Sequence, residues 1–176
     1  MAKKDARNTK GRILDAAWSL FYEKGYEGTT IEEIVERSET SKGSFYHYFD
    51  SKDALLSSLS YLFDAKYEQL MQDMDPEMNS FDKLMYLNHE LFLMIENSVP
   101  MDLLAQMYSS QLITYGDRHL LNQSRTYYRV LRRIVIEGQN RGQLRTDVSV
   151  NEIIKAYAML ERAMIYDWCI CNGDYS

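Results

Sequence analysis

Thr40-Ser41-Lys42-Gly43-Ser44-Phe45-Tyr46-His47-Tyr48-Phe49-Asp50-Ser51-Lys52 decides how the rest of the chain is read. Ser41 suits the N-cap of a short helix, since its hydroxyl accepts a backbone N–H left free in the first turn, and Ser51 does the same for the helix that follows. Between the caps lie a lysine, a serine, a histidine and two tyrosines. That mix contacts phosphates and base edges well and builds an apolar core poorly. The stretch follows a short helix of apolar pattern. It is therefore a candidate recognition helix of a helix-turn-helix.

Working outward, the pattern is helical throughout. Asn8 or Thr9 offers a cap for a first helix to about Lys24, with Ile13, Leu14, Ala17, Leu20 and Phe21 as its apolar stripe and Gly25 as its stop. Thr29 and Thr30 offer caps for a second, with Glu32 and Glu33 in its first turn, Ile31, Ile34 and Val35 inside, and an end near Ser38. A fourth helix runs from Ser51 to about Met74. A fifth, from about Ser80 to Asn97, is apolar on nearly every side, as a central buried helix would be. A sixth covers Met101 to Thr114, a seventh Arg118 to Arg141, and an eighth starts at Ser149 or Asn151 and ends near Asn172-Gly173. The expected fold is all-α. A head of three helices, residues 1–55, continues through the long fourth helix into a helical body, residues 56–176. With no linker between them, the fourth helix is expected to act as a rigid rod.

Composition narrows the function. The 176 residues include only 2 prolines and 8 glycines, in keeping with uninterrupted helices. No apolar run reaches the roughly 18 residues of a membrane span, and no signal-type apolar stretch follows the basic N-terminus, so a cytoplasmic protein without membrane association is expected. The net charge of −6 is unevenly held: residues 1–52 carry 9 basic and 9 acidic side chains, leaving 11 and 17 for the remainder. Lys3, Lys4, Arg7, Lys10 and Arg12 face Asp5 alone within the first 12 residues. A basic arm on a neutral head suits DNA, where the local field outweighs the total charge; a solvated tail is the other reading of the arm. Cys169 and Cys171, two apart on a helix, do not face each other and are expected as reduced thiols. No Cys/His spacing suits zinc, no cofactor is indicated, and no nucleophile is paired with a base, so an enzyme is not expected.

Taken together, Ile13-Leu14-Asp15-Ala16-Ala17, Leu20-Phe21, Gly25-Tyr26, Thr29-Thr30-Ile31, Ile34, the Ser41–Phe49 run, Ser51-Lys52 and Leu55 resemble the TetR family of transcriptional regulators over about residues 9–60. The resemblance implies roles. Thr30, with its helix N-terminus, would anchor a phosphate. Ser41 and Lys42 would open the recognition helix, and Lys42, Ser44 and Tyr46 would reach bases or the adjacent backbone. Gly43 would permit close approach to DNA, and His47 and Lys52 would touch phosphates. Phe45, Tyr48 and Phe49 would be core. The sequence departs from the family pattern at Ser38-Glu39-Thr40, where Ala-Gly-Val is usual. Glu39 would then stand where positive φ is common, at a cost of order 1 kcal/mol, and Thr40 would put a hydroxyl in place of a buried valine.

The body resembles the family chiefly in build, apart from Ile136–Asp147 before the last helix. The resemblance implies a homodimer through the last two long helices. A dimer also suits a near-palindromic double-stranded DNA operator, whose half-sites lie about 34–36 Å apart. Met85, His89, Phe92, Met107, Tyr108, Gln111, Tyr128 and Met164 are candidates for a pocket taking a small apolar or amphipathic effector, because Met- and Tyr-rich cores adapt to ligands and polar groups among apolar ones need partners. Each is also an ordinary core residue type. Glu161 and Arg162 are polar residues on an apolar helix, with a place at the dimer interface or among neighbouring side chains. The expected function is a dimeric repressor released by its effector. The alternative is a regulator answering to a protein partner, or an activator, whose body only dimerises.

Overall fold

The computed structural model describes the backbone of residues 2–113 and 118–174, and side chains from Thr9 onward within those limits. Among the described residues the regular structure is wholly helical: α1 (Ala2–Lys24), α2 (Ile31–Arg37), α3 (Lys42–Tyr48), α4 (Lys52–Leu56), α5 (Ser58–Asp73), α6 (Ser80–Ser98), α7 (Met101–Ile113), a 3-10 turn at His119–Leu121, α8 (Thr126–Asn140) and α9 (Val150–Ile170). The helices form two compact units, Met1–Ser60 with Asp102–Thr114, and Tyr61–Met101 with Tyr115–Ser176. The helix α7 thus joins the first unit, which a division at residue 55 does not anticipate.

In the first unit, caps set the boundaries. Thr30 caps α2, accepting from the Glu33 N–H while the Glu33 carboxylate accepts from the Thr30 N–H at 2.9 Å, a reciprocal capping box. The Ser41 Oγ accepts from the Ser44 N–H at 3.0 Å, and Ser51 Oγ accepts from Ala54 N–H at 3.3 Å. Gly25, at φ 77°, closes the turn after α1. Ile13, Ala17, Leu20, Phe21, Ile34, Phe45 and Leu55 are essentially inaccessible, so α1, α2 and α3 close around one core. Each large side chain buried there contributes roughly 1.5–3 kcal/mol. The α7 helix adds Leu103, Leu104 and Met107 to the buried set. It meets the loop after α1 where Asp102 accepts from the Tyr26 N–H at 3.4 Å and Gln106 donates to Glu27 at 3.0 Å.

The second unit packs α6 and α9 against α8. The inner face of α8 carries Tyr127, Tyr128, Leu131, Ile134, Val135 and Gly138. At Gly138 an added Cβ would lie 2.7 Å from both the Leu144 and Ser80 side chains, so α8 comes close there because glycine permits it. A second capping box, Ser149 with Glu152, starts α9, and Asn172 and Gly173, both at positive φ, follow its end.

Four expectations change. The α1 helix starts at Ala2 rather than at an Asn8 or Thr9 cap; the side chains of the basic arm Lys3, Lys4 and Arg7 lie outside the described residues, as does Thr114. The fourth helix is not one rod. It breaks at Ser57, where Ser57, Ser58 and Ser60 hydroxyls donate to the Ala54, Leu55 and Ser57 carbonyls at 2.6, 2.5 and 2.5 Å. Hydroxyls bonded back to the preceding turn compete with the helix ladder and bend it. The α8 helix begins at Thr126, not Arg118, because Asn122 Oδ1 takes the Ser124 N–H at 3.0 Å and holds a turn. The α6 helix buries one face only: Leu84, Leu87, Leu91 and Ile95 are inside, but Phe81, Met85 and Leu93 are exposed in the single chain.

Candidate nucleic-acid interface

The quoted stretch divides by side. Phe45 and Phe49 are buried, with rings 5.7 Å apart, and Tyr48 is half-buried. On the other side Ser41, Lys42, Gly43, Tyr46 and His47 are exposed, with Ser44 half-buried beside Ser41, their hydroxyl oxygens 3.0 Å apart. Tyr46 is 53% exposed although its ring meets Phe45 edge-on, so its hydroxyl end is open to solvent. His47 sits edge-on to Tyr48, 4.8 Å between ring centres. A Cβ added at Gly43 would meet nothing closer than Ser41 Oγ at 3.7 Å. Nothing inside the protein therefore requires glycine at 43. Helix α3 thus presents a polar, aromatic-studded face over an aromatic core.

Lys42 donates to Glu32, on the first turn of α2, at 2.5 Å. The pair holds the Glu32 carboxyl below its usual range and raises the Lys42 ammonium. Thr30 donates from both its N–H and its hydroxyl to Glu33. The Lys24 ammonium, first, and then the Thr30 donors hold Glu33 down to about 2. A phosphate at Thr30 would have to displace that carboxylate. Lys52 has partners within the protein. Its ammonium donates to the Tyr26 carbonyl at 2.9 Å and the Thr29 carbonyl at 3.0 Å, and lies 4.1 Å from the centre of the Tyr26 ring. It ties the loop after α1 to the start of α4, and a phosphate at Lys52 would share the ammonium with those two carbonyls.

The turn between α2 and α3 bears out the expected strain. Glu39 has φ 49°, the left-handed region that disfavours side chains by roughly 1–2 kcal/mol. Thr40 is half-buried, with its hydroxyl 2.8 Å from Ser38 Oγ, so the polar group in place of valine is satisfied locally. Arg12, which the sequence groups with the basic arm, reaches from α1 to donate to the Ser38 carbonyl and, at 2.8 Å, to the Glu39 carbonyl. It satisfies carbonyls at the end of α2 and braces the strained residue. Its 26-residue separation from Ser38 hides the contact from any local pattern.

The eight effector candidates are divided between the two units. Met107, Tyr108 and Gln111 belong to the first unit; Met85, His89, Phe92, Tyr128 and Met164 belong to the second. Met107 and Tyr128 are buried, while Met85, Met164 and His89 are exposed. A cavity of 270 Å³ in the second unit is lined instead by Met71, Met74, Lys83, Arg133, Glu137 and Arg141, among others. The polar centre of that unit is Glu161. It is 4% exposed and accepts from the Tyr67 and Tyr127 hydroxyls, each at 2.7 Å. Burial raises its carboxyl above the usual range, against the lowering effect of those two hydroxyls. Arg162 donates to the Tyr128 hydroxyl at 3.4 Å. Among the described residues no helix is long and apolar enough to cross a membrane.

Residues 13–59 match the family described as bacterial regulatory proteins, tetR family. An uncharacterized HTH-type transcriptional regulator of Lactococcus lactis is 56% identical over 46 residues, 26% of this chain and 24% of that protein. The biofilm operon icaADBC HTH-type negative transcriptional regulator IcaR of Staphylococcus aureus is 32% identical over 121 residues, 65% of this chain and 64% of that protein. The matched stretch therefore spans from about a quarter to just under two thirds of the length of these relatives. Among solved structures, the FadR repressor of Thermus thermophilus, in complex with lauroyl-CoA, has the same fold: TM-score 0.72 and 24% identity, over 90% of this chain and 82% of that one.

Proposed function

Because the chain belongs to the TetR family of bacterial regulatory proteins, we propose that it is a homodimeric, DNA-binding transcriptional regulator, a repressor that leaves a near-palindromic operator when a small apolar or amphipathic effector binds its body. The observation that carries the DNA-binding reading is the outer face of α3. Lys42, Ser44 and Tyr46 stand free of the core over an open Gly43, while Phe45 and Phe49 anchor the helix from behind. Tyr46 and Lys42 enter the major groove, and His47 and the Ser41 end of the helix meet the backbone. Thr30 joins only by exchanging Glu33 for a phosphate. The repressing sign follows the negative regulator IcaR, and the amphipathic effector follows the acyl-CoA held by the FadR structure.

Two half-sites about one helical turn apart require two heads. The dimer we assign uses α8 and α9, since Met159, Leu160, Met164, Tyr166 and Ile170 leave an apolar row exposed along α9. Effector release requires only that the ligand favour the low-affinity state by about 1–3 kcal/mol.

Selection of bound duplexes from a random pool tests the reading. A recovered site with two inverted half-sites about 10 base pairs apart, centre to centre, supports it. Recovery of no preferred sequence, together with binding that does not weaken with salt, refutes it.

A further inference from the structure

We infer that Glu32 is a specificity-determining residue: it holds the Lys42 ammonium across the front of the helix-turn-helix and so suppresses binding to DNA of arbitrary sequence. The inference rests on the DNA-binding reading and adds a role to an acidic residue which that reading leaves idle.

The geometry carries it. Glu32 lies on the first turn of α2 and Lys42 on the first turn of α3. Their 2.5 Å ion pair bridges the two helices of the motif on its exposed side. Both side chains are open to solvent, 63% for Glu32 and 60% for Lys42, so the pair is no part of the core. It belongs to a wider pattern. Lys24 pairs with Glu33, Arg37 with Glu23 and Arg12 with Glu39. These cations of the head are therefore already neutralised before any duplex arrives. Of the four, Lys42 alone stands on the recognition helix.

An ammonium presents three N–H donors from one point charge. On arbitrary duplex the attraction is to phosphate, through release of counterions. A phosphate that takes Lys42 from Glu32 replaces one anion with another, so the net gain is small. On the proper site Lys42 keeps Glu32 on one N–H and donates another to a base acceptor, such as guanine O6 or N7. The carboxylate thus taxes the phosphate contact and leaves the base contact. It also fixes the direction of a side chain that would otherwise sample many rotamers.

The test compares wild type and Glu32→Gln on the duplex selected above and on a random-sequence duplex of about 25 base pairs, across a salt series. Glu32→Gln is expected to bind random duplex about three- to tenfold tighter at low salt, with a salt slope steeper by about one contact. It should gain much less on the selected duplex, so the ratio of the two affinities falls. In a Lys42→Ala background the same substitution should change little. Thermal unfolding should be unmoved, because an exposed pair contributes little to stability. Unchanged random-duplex binding overturns the inference. Equal tightening on both duplexes, or the same tightening without Lys42, also overturns it, since Glu32 would then act by general repulsion. If wild type binds neither duplex, the DNA-binding reading itself fails and the inference falls with it.

Discussion

Gly43 on α3 and Lys52 at the start of α4 are expected to separate binding from stability in opposite senses. Glycine in a helix normally costs about 0.5–1 kcal/mol relative to alanine, and no neighbour in the protein crowds a Cβ at 43. Gly43→Ala is therefore expected to unfold later than wild type, by up to that amount, and yet to bind the selected duplex at least tenfold more weakly. Chemical denaturation and a binding titration on one preparation check both halves. Unchanged binding would mean that α3 does not approach DNA closely at that turn. Lys52→Ala should do the reverse. It strips the Tyr26 and Thr29 carbonyls of a charged donor, and lost charge-assisted hydrogen bonds cost about 1.5–3 kcal/mol. The salt slope of DNA binding should stay put, whereas a phosphate contact would lower it by about one. At Glu39 the left-handed backbone gives a third expectation: Glu39→Gly stabilises the head by about 1 kcal/mol, read in the denaturation midpoint, by removing the Cβ clash.

At the scale of the element, the serines at the α4–α5 break deserve the closest test. Ser57, Ser58 and Ser60 each spend a hydroxyl on a carbonyl one turn back. Changing Ser57 and Ser60 together to alanine removes two competitors of the helix ladder and raises intrinsic helix propensity. Far-ultraviolet circular dichroism should show added helix, with a small gain in stability of about 0.5–1 kcal/mol. No gain in helix would locate the break in packing rather than in the serines. The break also marks where sequence reading stops. The caps at Thr30, Ser41, Ser51 and Ser149 are legible because cap and helix lie within four residues. The apolar sides of Phe45, Phe49 and Ile34 are legible because periodicity is local. Arg12 on the Ser38 and Glu39 carbonyls, Lys52 on the loop after α1, and α7 in the first unit are not legible. Each depends on partners 20 or more residues away, and the sequence of either partner alone would suit solvent as well. The effector candidates are less legible for the same reason: methionine and tyrosine content names the material of a core without saying which face of which helix it lines.

For the whole molecule, stability should carry the signature of one buried carboxylate. Glu161 on α9 accepts from Tyr67 of α5 and Tyr127 of α8, with Tyr157 near on its own helix and Arg125 and Arg162 supplying the nearby positive field. Burial is the largest influence and raises its folded pKa above the ordinary 4.5. Well below 4.5 both folded and unfolded chains hold the proton, and the carboxyl contributes no penalty. As pH rises past 4.5 the unfolded chain gives up its proton first, so the folded state binds more protons and stability falls with pH. The fall continues until the folded value is passed, at about 1.4 kcal/mol for each unit separating the two. Paired carboxylates such as Glu137, which Lys83 holds low, act in the opposite sense at lower pH, so the raw profile of the wild type mixes both. Subtraction isolates Glu161. Glu161→Gln keeps the shape, with its amide oxygen accepting from one tyrosine and its amide nitrogen donating to the other hydroxyl oxygen, and it does not titrate. The difference in unfolding free energy between variant and wild type should be smallest near pH 4 and should grow in favour of the variant toward pH 8. A difference that is flat across that range would mean that Glu161 keeps its ordinary pKa in the folded protein. One that grows in favour of the wild type would mean that the two tyrosine hydroxyls outweigh burial and hold the carboxylate charged.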